Sequence, residues 1–93
     1  MLKLILVASP HLAFGELLRL SLEESGKYRV RLARGSSEAL NLSNKTAFAL
    51  LILDADLSDA PFSGLVCEIK QNQPQARLIL IPPENDPRHP LLQ

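Results

Sequence analysis

The sequence predicts an α/β domain built on a parallel sheet, and three observations predict it. Short continuous apolar runs, of the kind a strand covered on both faces requires, alternate with segments whose apolar residues recur every three or four positions. Ser, Gly and Pro residues that start or stop helices fall at the junctions, at Ser9-Pro10, Gly26, Ser36-Ser37, Pro74 and Pro82-Pro83. A chain of 93 residues, 46% of them hydrophobic, has the size and the apolar content of one domain with a real core, and it is too short for two. The resulting order is βαβαβαβ, which implies helices on the sheet faces and right-handed crossovers.

Each element follows from its own residues. Leu4-Ile5-Leu6-Val7-Ala8 is continuously apolar and reads as a buried parallel strand. Ser9-Pro10 then suits a helix start, because Ser caps free amides and Pro at the first helical position loses no needed donor. Phe14, Leu17, Leu18 and Leu22, with Ser21 at their margin, are spaced as the inward stripe of that helix, and Gly26 stops it. Tyr28 to Arg34 alternates apolar with basic residues, the pattern of an edge strand with one exposed face carrying Arg29 and Arg31. Ser36 or Ser37 caps a short second helix through Leu40 and Leu42, ending near Asn44. Phe48 to Leu53 is the most apolar segment and stops at Asp54, as a central strand delivering a carboxylate at its end would. Leu65, Val66 and Ile69 mark a third helix that must end before Pro74. Leu78 to Ile81 supplies the fourth strand, which Pro82-Pro83 stops.

Composition narrows the function. Ten basic and ten acidic residues cancel to a net charge of zero, so the broad positive field that captures nucleic acid or anionic lipid is missing. The longest apolar run, Ala47 to Leu53, falls well short of a membrane span, and no secretory signal opens the chain. Neither a nucleic-acid nor a membrane partner is expected. The single cysteine, Cys67, has no disulfide partner within the chain and suits the cytoplasm; beside apolar neighbours it reads as a small buried hydrophobe. His11, in the first turn of helix one, reads as a partly exposed helix residue, and His89 lies among prolines with no second ligand at metal spacing.

In an open parallel sheet, function gathers at the carboxyl ends of the strands, where Asp54 meets the turns at Ser9 and Pro82. A strand-end Asp serves as a phosphoryl acceptor or a magnesium ligand, or it caps the amides of the next loop. With Leu51-Ile52-Leu53-Asp54 ending the third strand and the loop through Leu57, Asp59 and Ser63-Gly64 leading into helix three, the chain resembles the receiver domain of bacterial two-component response regulators. That resemblance implies a flavodoxin-like three-layer α/β/α fold with parallel strands in the order 2-1-3-4. It also implies a phosphoacceptor role for Asp54, and a histidine kinase or an output domain as partner.

Several positions depart from the family. Ala8 and Ser9 stand where the acidic pair that holds magnesium belongs, and neither offers a carboxylate. Pro82 stands where the fourth strand ends in Ser or Thr, and no Lys follows from a fifth strand. No catalytic residue, metal ligand or cofactor is therefore expected, and Mg²⁺ would find little besides Asp54 to hold it. Residues 1–83 are expected to form a truncated receiver-like domain and residues 84–93 a poorly ordered Pro-rich tail. The reading is a non-enzymatic signalling module of a phosphorelay, with Asp54 solvent-accessible as a residual phosphoacceptor and Mg²⁺-dependent phosphorylation impaired. An uncovered fourth strand predicts a homodimer through that edge. The alternatives are a small α/β enzyme in which Asp54 and Asp56 handle a metal or substrate, and a purely structural dimerisation unit.

Overall fold

The computed structural model describes residues 2–57 and 61–82. Four strands and three helices alternate as β1 (Lys3–Ala8), α1 (Leu12–Glu23), β2 (Tyr28–Ala33), α2 (Ser36–Lys45), β3 (Leu50–Asp54), α3 (Phe62–Asn72) and β4 (Arg77–Ile81). The strands form one parallel sheet in the order β2-β1-β3-β4, the flavodoxin-like arrangement that the sequence implies.

Side chains alternate across each strand, so the apolar runs feed two cores. On one face Ile5, Val7, Val30 and Ile52 pack with Leu18 and Leu22 of α1. On the other, Leu6, Ala8, Leu51 and Leu53 pack with Ala39 of α2 and with Leu65 and Ile69 of α3. Full burial of an aliphatic chain such as Leu6, Leu53 or Ile69 contributes roughly 1.5–3 kcal/mol each, and all three are completely enclosed. The two central strands are thus apolar on both sides, which is why they read as unbroken runs.

Polar side chains finish the helices and connections. Glu38, in the first turn of α2, reaches back to accept the Arg34 backbone N–H at 2.9 Å, which ties the helix to the end of β2. Gln73, just past α3, accepts the Phe48 N–H at 3.0 Å and donates to the Ser43 and Thr46 carbonyls at 2.7 and 2.6 Å. One amide side chain thereby fixes the turn that launches β3. Gly26 has φ 76°, the left-handed region that side chains with a Cβ enter at a cost.

The structure corrects several expectations. Helix α1 begins at Leu12 with His11 in the capping position, not at Ser9-Pro10; the Ser9 hydroxyl accepts the His11 N–H in a short turn ahead of the helix. Leu17 was placed in the inward stripe yet is 64% exposed, and Gly15 takes the buried position beside Leu32 of β2. Cys67 faces outward on α3 and is exposed, since Leu65 and Ile69 define the inward side there. Arg29 and Arg31 are exposed on the edge strand as expected. Ser58, Asp59, Pro83, His89 and the tail lie outside the described residues.

Candidate functional site

The register between β1 and β3 pairs Ala8 with Leu53, so Ser9 and Asp54 emerge side by side at the carboxyl ends of the two central strands. Asp54 is the last residue of β3 and Ser9 the first after β1. The Ser9 hydroxyl donates to Asp54 Oδ2 at 2.8 Å and in turn accepts the backbone N–H of His11 at 3.1 Å. The Asp56 N–H donates to Asp54 Oδ1 at 2.9 Å, closing a short turn after the strand. Both carboxylate oxygens of Asp54 therefore have protein donors.

Asp54 is only 2% exposed. The expectation of a solvent-accessible carboxylate was wrong, and the reason is physical: Ser9 and the Asp56 amide supply the hydrogen bonds that water would otherwise provide, which removes the cost of burial. The loop-capping reading of Asp54 is thus present in the structure, and the enclosure of both oxygens counts against its use as a phosphoacceptor.

His11 completes the cluster from above. Its Nε2 lies 2.8 Å from Asp56 Oδ2 and 4.0 Å from Asp54 Oδ2. The imidazole is about half-exposed and Asp56 is partly exposed, whereas Asp54 is enclosed. One ligand-capable atom from each of the three residues falls within 4.8 Å of the others. The sequence singles out Asp54 and Asp56 and places His11 near the strand ends as a partly exposed helix residue, but its contact with Asp56 and the Ser9 bond are not legible there. The signal available was the strand order, since pairing β1 directly with β3 brings the two post-strand turns together.

Other predicted positions fall as follows. Ala8 is fully buried in the core with no polar group to offer. Pro82 directly follows β4, whose Ile81 pairs with Asp54 in register and accepts the Ala55 N–H at 2.9 Å. It stands at the mouth of the site and presents no hydroxyl. Arg29 and Arg31 are on β2, separated from Asp54 by β1. Cys67 is on α3 and is absent from the cluster.

Among the described residues the donor set is mixed and departs from the all-oxygen set that magnesium prefers. Mg²⁺ takes six oxygen ligands in near-ideal octahedral geometry, usually with one or two carboxylates. Here Ala8 supplies nothing, Ser9 directs its hydroxyl proton at Asp54, and one of the three converging ligands is an imidazole nitrogen.

No known family model matches the chain, and neither does any curated protein. Solved structures do match. A response regulator from Burkholderia pseudomallei, solved with a phosphorylated aspartic acid, calcium ion and citrate, aligns at TM-score 0.80 and 30% identity over 86% of this chain. The chain spans only 46% of that protein's length. The response regulator TrrA from Thermotoga maritima, in complex with Mg²⁺-BeF, aligns at TM-score 0.80 and 28% identity over 98% of this chain and 78% of the other. The non-phosphorylated HemR receiver domain from Leptospira biflexa aligns at TM-score 0.77 and 31% identity over 90% of this chain and 67% of its own. Strand order, the strand-end aspartate and these likenesses agree, and the chain belongs to the receiver domains of response regulators.

Proposed function

We propose that this domain is a signalling module of a bacterial two-component phosphorelay, acting in the cytoplasm by protein–protein contact, with impaired Mg²⁺-dependent phosphorylation. Asp54 is its residual phosphoacceptor, and a histidine kinase or an output domain is its partner. One observation carries the reading: Asp54 ends β3 at the receiver position, yet both its oxygens are hydrogen-bonded and Ala8 and Ser9 stand at the acidic-pair positions. Phosphoryl transfer from a small donor depends on in-line access and on neutralising charge at the transferred group. A buried carboxylate without the acidic pair supplies the nucleophilic oxygen and little else. The module transmits through its surface, and no enzymatic turnover is assigned to it. The domain proper is residues 1–83, and residues 84–93 are a Pro-rich tail.

Incubation with acetyl phosphate and Mg²⁺, followed by phosphate-affinity electrophoresis, tests this. Slow or absent labelling is expected. Rapid stoichiometric labelling that vanishes in Asp54→Asn would restore an ordinary phosphorylation switch.

A second reading, homodimerisation through β4, is favoured by a separate observation. Ile79 and Leu80 of this strand are 48% and 45% exposed, on opposite faces, and among the described residues β4 pairs only with β3. An apolar strand with an open edge is a template for another chain. A two-fold dimer built there would bury more than ~1,000 Å².

A further inference from the structure

We propose that His11, Asp54 and Asp56 form a binding site for a borderline divalent cation of the zinc and cobalt class, where a receiver would hold magnesium. The mismatch with magnesium described above is what leads here. An imidazole nitrogen with two carboxylates is the donor set that zinc, cobalt and nickel accept, and for a given nitrogen–oxygen site the later first-row ions bind more tightly. Magnesium ranks far below them for nitrogen donors and gives up its waters reluctantly.

The geometry is close to what such an ion needs. Around a tetrahedral centre with bonds of about 2.0–2.1 Å, ligand atoms sit roughly 3.3 Å apart. His11 Nε2 stands 2.8 Å from Asp56 Oδ2 and 4.0 Å from Asp54 Oδ2, distances that bracket this value, and all three ligand atoms lie within 4.8 Å. Opening the first contact by about 0.5 Å and closing the second by about 0.7 Å reaches this value, and the residues that must shift are the partly exposed ones. Asp54 is the fixed member. The Ser9 hydroxyl and the Asp56 amide each occupy one position on its two oxygens, which orients the carboxylate as hydrogen-bonding neighbours orient ligands in metal sites. Since Asp54 has a lone pair remaining on Oδ2 after accepting from Ser9, coordination does not require that bond to break. Water would fill the remaining position of a tetrahedral shell.

The site uses Asp54 as a ligand and is independent of whether Asp54 is ever phosphorylated. Failure of phosphoryl labelling and failure of metal binding are thus separate results. The experiment is a titration of the metal-free full chain with Co²⁺, read by its visible d–d bands, and with Zn²⁺ and Mg²⁺ by calorimetry. One Co²⁺ per chain is expected, displaced by Zn²⁺ and not displaced by a tenfold excess of Mg²⁺. His11→Gln and Asp56→Asn, both at partly exposed positions whose loss leaves the cores intact, should each weaken Co²⁺ binding by roughly tenfold or more. A double variant lacking Cys67 and His89 should bind as the parent does. The proposal is overturned if Co²⁺ does not saturate, if Mg²⁺ competes on equal terms, or if binding persists in His11→Gln and disappears with Cys67 and His89.

Discussion

Removing the Ser9 hydroxyl is the sharpest structural perturbation of the site. Ser9→Ala deletes the donor that Asp54 Oδ2 holds at 2.8 Å and the acceptor of the His11 N–H at 3.1 Å, at a position where Ser9 is 5% and Asp54 2% exposed. A hydrogen bond to a charged group contributes about 1.5–3 kcal/mol, and a buried carboxylate oxygen left without its donor loses most of that. Ser9→Ala is therefore expected to destabilise the fold by about 2 kcal/mol. For a domain of this size that lowers Tm by roughly 8–16 °C. Because the larger part reflects charge, the same substitution in an Asp54→Asn background should cost only about 1 kcal/mol, the value of a neutral bond. Urea unfolding of the four proteins, with unchanged m values, measures both quantities. A loss under about 0.5 kcal/mol from Ser9→Ala, or an equal loss in both backgrounds, would refute the view that Ser9 holds a charged, buried Asp54 in place.

Three further outcomes follow from other parts of the fold. Gln73→Ala should cost about 2–3 kcal/mol, since the side chain bonds the Phe48 N–H and two carbonyls of the α2–β3 turn; thermal unfolding checks it, and Gln73→Glu, which loses the two donations, should be nearly as harmful. Gly26→Ala should cost about 1–2 kcal/mol through backbone strain alone, because φ is 76° and an added Cβ would meet no atom within 4 Å. Ile79→Lys should abolish self-association in sedimentation while leaving Tm within a few degrees, as the residue is 48% exposed; a dimer that survives it would move the interface away from β4.

The fold was legible because its signals are local and repeated. The run from Phe48 to Leu53 reads as a strand covered on both faces, the structure forms that strand over Leu50–Asp54, and its abrupt end at Asp54 marks the candidate site. The edge character of β2 was visible in its alternating arginines. What escaped depends on residues 45 positions apart: Ser9 with Asp54, and His11 with Asp56. Ser9-Pro10 carries a helix-start signal, but the hydroxyl donates to a buried carboxylate while accepting the His11 N–H in a two-residue turn, and α1 starts later. Leu17 is misplaced because the five leucines of α1 offer two overlapping stripes, and the sheet accepts the one containing Gly15, Leu18 and Leu22. The burial of Asp54 left no trace in its neighbours; it follows from strand register.

The proposed impairment rests on Ala8 and Ser9, which leave Asp54 without the acidic pair that holds magnesium and a phosphoryl group in a receiver. Beryllium fluoride, which mimics a phosphoryl group on a carboxylate, tests it without a kinase or a donor. Fluorine NMR with Mg²⁺ should show no protein-bound fluoride resonances for the natural sequence, and should show them once Ala8→Asp and Ser9→Asp together restore the acidic pair. Stoichiometric bound fluoride in the natural sequence, lost in Asp54→Asn, would show that Asp54 accepts a phosphoryl group without the acidic pair.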